Sequence, residues 1–212
     1  MTEDEKRAAG LLFFPMDPAL KAIKLRTHKL NINYNAAYED ETEKRAAILG
    51  EMLGGLGEGS FLQGPVTFHY GKHTKIGKNV FINFNLTVQD DAEVVIGDGC
   101  DFGPNVTIVT PVHPMLAAER KRMRNERGEE VRLCYAKPVH IGKNCWICAN
   151  VTILPGVTVG DNCVIGAGSV VTRDIPSDSF AAGNPARVIR RLTEADSMAN
   201  KPEVLGENEI IR

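Results

Sequence analysis

Among the side chains of this 212-residue chain, His113 has the setting best suited to acid–base chemistry. It stands in TPVHPM, residues 110–115, and the proline after it disfavours the helical region, so the imidazole rides on extended, stiffened backbone. Imidazole titrates near neutral pH and can take a proton from one group and return it to another. The other histidines, His28, His69, His73 and His140, lack that constraint. His28 falls in a polar helical stretch and His140 at the approach to a strand, both settings for surface or local hydrogen bonding. Cys145 and Cys148 form a CxxC, whose chemistry would be redox exchange or metal binding. No second CxxC or histidine pair accompanies it, and five cysteines spread over positions 100 to 163 do not make a disulfide framework. They read as apolar packing residues.

The elements that hold these groups follow a period of six. Ile141, Ile147, Ile153, Val159, Ile165 and Val171 recur without a miss, and the register appears earlier at Ile76, Ile82, Val88 and Val94. It then slips by two and resumes at Ile96, Phe102 and Ile108. Helices repeat at 3.6 and strands at 2, so a period of six signals a repeat architecture. Three residues after these aliphatics stand Asn79, Asn85, Asp91, Gly99, Asn105, Asn144, Asn150, Gly156, Asn162, Gly168 and Asp174. These three residue types tolerate left-handed backbone, so each repeat is a short strand and a tight turn. Three such units close a triangular coil of about eighteen residues, with successive coils pairing at about 4.8 Å. In that arrangement Cys145 and Cys163 stack as core filler.

A formal charge of -2 with mixed signs gives no electrostatic reason to expect nucleic acid or an anionic membrane as partner. GLLFFPM is too short to span a bilayer, and the residues before it lack the basic start of a secretion signal, which points to a cytoplasmic protein. One main domain is expected. Residues 1–58 carry helix formers, with EDETEKRAAILGEMLGGL as the clearest amphipathic run, and form a cap of the kind a solenoid needs. Residues 59–185 form the β-helix, with a loop excursion over 110–138, and 186–212 form a C-terminal segment. The excursion suspends the hexad between Ile108 and Ile141, and long loops on rigid scaffolds are where function concentrates. Its charged middle, ERKRMRNERGEE, reads as a solvated face or short helix.

IGKNCW, PGVTVGDNCVIGAGSVVTRDIP and AAGNPARVI resemble the hexapeptide-repeat acyltransferases, specifically the galactoside and maltose O-acetyltransferase family, over nearly the whole chain. The resemblance implies an all-β, left-handed parallel β-helix with an N-terminal helical cap and a protruding loop. It also implies a homotrimer with active sites between subunits, acetyl-CoA as co-substrate, no metal, and a sugar-like hydroxyl acceptor. By this resemblance His113 matches the histidine of the family's HP motif and is the general base. INFNLTVQDDA matches a stretch in which Asn83 donates to the acceptor or the oxyanion and Asp91 accepts from an acceptor hydroxyl. Asp17, in PMDP, matches an acceptor-site aspartate, with the spacing to the following LR differing by two. His69, in FHYGK, stands where galactoside enzymes have a small polar acceptor contact. Ala149, Ala167, Thr172, Arg173, Arg187 and Arg190 match the CoA-binding residues. Small residues let pantetheine approach the backbone, and arginines suit its phosphates. Trp146 walls the thioester channel or fills a subunit contact.

Other readings remain open at this level. The same fold could acetylate an antibiotic or an amino-sugar, and His69 and the long loop keep that alternative in play. A β-helix carbonic anhydrase needs three histidines converging on zinc, and Ala117 and Ala118 stand where a partner to His113 would be. A silent scaffold is the third alternative, against which the intact HP and NPAR motifs weigh.

Overall fold

A computed structural model describes residues 1–211. Short strands and turns wind into a three-sided parallel β-helix. Its first face stacks Gly55–Leu56, Thr74–Ile76, Val94–Ile96, Val139–Ile141 and Thr158–Val159. The second stacks Phe61–Leu62, Phe81–Ile82, Asp101–Phe102, Trp146–Ile147, Val164–Ile165 and Ser179–Gly183, closed by antiparallel Ala186–Arg191. The third stacks Val66–Phe68, Leu86–Gln89, Thr107–Val109, Thr152–Ile153 and Val170–Val171.

The six-residue aliphatics point inward and are buried from Ile76 to Val171, giving one continuous core. Most of the turn positions have the left-handed backbone expected of them, at Asn79, Asn85, Gly99, Asn105, Asn144, Asn150, Gly156, Asn162 and Gly168. Asp91 and Asp174 do not, so spacing alone misassigned them as left-handed turn residues. Asn144 donates to Asn162 at 3.2 Å and Asn162 to Asp178 at 2.9 Å, so the turn amides form a ladder down one corner. Cys100, Cys145 and Cys163 stack inside, each thiol donating to a carbonyl of a turn, at Gly142, Gly160 and Pro176. Packing accounts for all three.

The helices α1 (Glu3–Ala8), α2 (Pro18–Asn35) and α3 (Thr42–Met52) precede the first coil. An edge strand presents unpaired backbone groups that invite aggregation, and this cap satisfies them with side chains. Asn31 of α2 donates to the Phe68 carbonyl at 2.7 Å and accepts its N–H at 3.1 Å, and Asn35 does the same for Val66. Arg45 of α3 donates to the carbonyls of Leu62 and Gln63. Among the described residues no helix is long and apolar enough to cross a membrane.

The excursion leaves the coil as a two-stranded arm, Pro111–Val112 against Tyr135–Ala136. Beyond it lie the short α4 (Ala117–Lys121) and a hairpin pairing Met123–Arg124 with Glu130–Val131, all largely exposed. The arm is tied to the N-terminal segment by a backbone bridge between Phe13 and Cys134 and an ion pair from Lys6 to Glu126 at 3.2 Å.

Candidate active site

Coils at the C-terminal end are tight: Ile141 pairs with Val159, eighteen positions on. Coils at the N-terminal end are wider, because Ile76 pairs with Ile96 and Phe68 with Val88, each twenty positions on. The two extra residues fall at the corner between the third and first faces, over 69–73 in one coil and 90–93 in the next. In the coil after those, the arm carrying His113 leaves from the same corner. Three irregular corners therefore stack, and His69, His73, Asp90 and Asp91 lie along the edge from which the His113 arm departs.

His113 is exposed at the base of the arm, facing a cleft of ≈ 520 Å³ shared with Tyr135, Lys137, Leu154, Pro155 and Thr172. Strand register orders the wall behind it. One position past the paired strand residues, His69, Gln89, Val109, Leu154 and Thr172 form a single outward column on the third face. Thr172 and the exposed Arg173 lie below the His113 rung, and Gln89 and His69 lie above it. Lys137, Gln89 and Leu154 were not singled out from sequence. Leu154 had a signal, since it precedes Thr172 by one coil of the eighteen-residue register.

The remaining predicted groups gather on the second face and its edge with the third. Asn83, Gly103, Cys148, Gly166, Ala182 and Arg187 form an outward column of mostly small residues. Ala149 and Ala167 stack beside it, joined by the Gly168 N–H to Ala149 carbonyl bond at 2.9 Å. A shallow, small-walled track ending at an arginine suits a thin chain with phosphates at one end. The Asn83 Oδ1 accepts the Phe84 N–H at 2.8 Å, leaving Nδ2 as the donor. Phe61, Phe81, Phe84 and Trp146 stand exposed on and beside this face. Arg190 is turned away into a pair with Asp196, at 2.7 and 2.5 Å.

His113, Thr172 and Arg173 thus occupy one edge of the third face, and Asn83, Ala149 and Ala167 the other. In a single chain these two groups of candidate residues lie at opposite edges of the third face.

The three residues expected at the acceptor fall in different surroundings. Asp91 is 4 % exposed, and burial with the neighbouring Asp90 raises its carboxyl to about 6. Arg7 donates to its backbone carbonyl at 2.6 Å, and Asp90 is fixed by the Tyr70 N–H at 2.7 Å and the Thr74 hydroxyl at 3.0 Å. His69 is half-buried, held neutral down to about 4 by burial and by Lys24 and His28. Asp17 stands apart as the N-cap of α2, accepting the Ala19 N–H at 2.9 Å, and lines a separate cleft with Lys6, Phe14 and Arg127.

Residues 138–173 match the family described as bacterial transferase hexapeptide (six repeats), and residues 6–57 match the maltose acetyltransferase hexapeptide capping motif. The galactoside O-acetyltransferase of Escherichia coli (strain K12) is 43% identical over 92% of both chains. A galactoside acetyltransferase solved in complex with coenzyme A superposes with a TM-score of 0.85 at 40% identity, covering 100% of both chains. A maltose O-acetyltransferase from Clostridium difficile 630 superposes at 0.84, also 40% identical, over 92% of this chain and 99% of that one.

Proposed function

This chain belongs to the hexapeptide-repeat acetyltransferases of the galactoside and maltose O-acetyltransferase family, and from that premise we propose that His113 is the general base for acetyl transfer from acetyl-CoA to a sugar hydroxyl. The acceptor is bound above the His113 rung of the third face and the thioester lies level with it. His113 takes the hydroxyl proton as the oxygen attacks the thioester carbonyl carbon. Asn83 Nδ2 donates to the oxyanion that forms, a group whose stabilisation is among the largest single contributions in acyl transfer. The C–S bond then breaks, the acetyl ester is left on the acceptor, and the proton on His113 passes to the CoA thiolate. No covalent acetyl-enzyme is required.

The observation that carries this reading is the separation of the two half-sites across the third face. It makes sense if the His113 edge of one chain faces the Asn83 and Ala167 edge of the next, which a closed ring of identical chains provides. The exposed aromatics beside Asn83 and the exposed Met115 and Leu116 beside His113 are the apolar surfaces such a contact would cover. We read the ring as a trimer, with pantetheine along the column from Arg187 to Asn83. Within this reading Asp17 serves α2 as a cap rather than the acceptor, and Asp91 supports the corner from beneath.

The test is release of free CoA thiol from acetyl-CoA against galactosides, glucosides, maltose, amino-sugars and hydroxylated antibiotics. Acceptor-dependent release that disappears in His113→Ala, with acetyl-CoA affinity retained, supports the assignment. Near-normal turnover in that variant overturns the base role, and preference for an amino-sugar moves the acceptor assignment to N-acetylation.

A further inference from the structure

The helix that borders the top of the column carries charge of one sign only, all of it between residues 21 and 29. Over PALKAIKLRTHKLNINYN, α2 carries Lys21, Lys24, Arg26, His28 and Lys29 and no acidic residue. Lys21, Lys24 and His28 are spaced at three and four, so they share one face of the helix. That face meets the top of the third-face column: His28 Nε2 lies 3.3 Å from His69 Nδ1, with ring centroids 5.4 Å apart. Tyr70 joins the group from below, with His69 edge-on to its ring at 5.1 Å and the Lys24 ammonium 5.6 Å from its centroid.

Among the described residues no side chain neutralises this cluster fully. Lys24 is 9% exposed, donates to the Pro15 carbonyl at 2.6 Å, and forms no ion pair among the described residues. Arg26 is engaged with Glu51, away from the column, at 2.9 Å. The carboxyl that acts on Lys24 is that of Asp91, itself buried beside Asp90. Lys24 has only a carbonyl, a ring face and the Asp91 charge around it, so a ligand that brings counter-charge is favoured there, and a neutral imidazole offers a ring N–H as donor.

We propose that Lys24, His28 and His69 receive an anionic substituent on the acceptor, so that the preferred substrate is a sugar carrying a carboxylate or a phosphate away from the hydroxyl that is acetylated. The inference rests on the transferase reading above and narrows its substrate class. Geometry sets the distance. His69 stands two rungs above Val109, the rung from which the His113 arm departs, and two rungs span about 10 Å. A hexose with its reactive hydroxyl at His113 would present its far substituent there. His28 and Lys24 act as specificity-determining residues, and His69 belongs to the column by strand register.

The test uses aryl β-galactosides and β-glucosides that differ only in the para position of the ring, bearing hydrogen, carboxylate or phosphate, so every sugar hydroxyl is retained. The inference expects kcat/KM for at least one anionic glycoside to exceed that of the neutral one by about tenfold or more, through KM. The carboxylate and phosphate arms decide which anion is preferred. In Lys24→Met, and separately in the double variant His28→Gln with His69→Ser, the ratio of anionic to neutral kcat/KM should fall to about one. A neutral glycoside used as well as or better than both anionic ones overturns the inference while leaving the transferase reading intact. So does a preference that persists in both variants. Transfer to none of these glycosides, with another acceptor of the wider panel used, overturns the inference alone; transfer to nothing in the wider panel overturns the transferase reading and this inference with it.

Discussion

If each active site is assembled from the third-face edge of one chain and the second-face edge of its neighbour, two impaired variants should restore one another when assayed at acetyl-CoA well below its KM. The His113→Ala chain loses its base but keeps the small-walled track. The Ala167→Trp chain keeps its base but fills the track at an exposed corner, where the added bulk does not enter the core. Loss of a general base costs about 10²–10⁴-fold, so the first variant alone should retain about 1 % of turnover or less. In a ring assembled from an equal mixture, a site is whole only when its His113 edge comes from an Ala167→Trp chain and its track from a His113→Ala chain. Each condition is met half the time, so about one quarter of sites are whole. In mixed trimers freed of unmixed ones by tandem affinity tags, one site of the three is whole, or about a third of normal turnover. The assay is CoA thiol release after co-refolding, compared with each variant refolded alone. A mixture no more active than the average of its parents would mean that one chain holds the whole site, and the argument from the two edges would fail.

Four further outcomes follow from the same structure. Ala167→Trp alone should raise the acetyl-CoA KM by about tenfold or more, about 1.4 kcal/mol, with an unchanged melting temperature; a normal KM would move the CoA track elsewhere. Asn162, left-handed at φ 57 and a rung of the amide ladder, should cost about 1–2 kcal/mol as Asn162→Ala by chemical denaturation. Asn162→Gly relieves the backbone but not the ladder, so it should recover part of that loss and not all. The Asp91 carboxyl is raised from 3.8 to about 6, so its ionisation disfavours the folded state as pH rises through that interval. The stability of Asp91→Asn relative to the parent should therefore improve by about 3 kcal/mol between pH 3.5 and 7, and a pH-independent difference would contradict the burial of the charge.

The β-helix was legible because its physics is periodic. One inward aliphatic per strand and one left-handed residue per corner leave a six-residue trace that needs no tertiary information. Hence the core from Ile141 to Val171, the turn asparagines and the stacked cysteines could be read directly. The cap was legible as helices but not as a cap in detail: nothing in the sequence marks Asn31 and Asn35 as the side chains that close the Val66–Phe68 edge. That pairing depends on where α2 lands. The placement of His113 and Asn83 at opposite edges of the third face was equally hidden, since a residue's place in the hexad names a position around the coil but not what faces it.

The most informative sequence feature was the failure of the period. Asp91 falls three residues after Val88, where the rhythm calls for a left-handed turn, and it was given a turn's role on that ground. The structure gives it another: the corner holding Asp90 and Asp91 is two residues longer than the corners of the tight coils, and the slip from Val94 to Ile96 records that excess. The corner at His69 to His73 is longer by the same amount, and the corner after Ile108 opens into the arm with His113. A solenoid with unbroken rhythm is uniformly packed and offers no concavity. Extra residues at a corner must leave the coil, and when they do so in three consecutive coils they build one wall with depth and room for polar groups. On this argument the irregular corners, rather than the aliphatic repeat, locate the chemistry. The basic face of α2 then lies where it can read the acceptor because it caps the first of those corners.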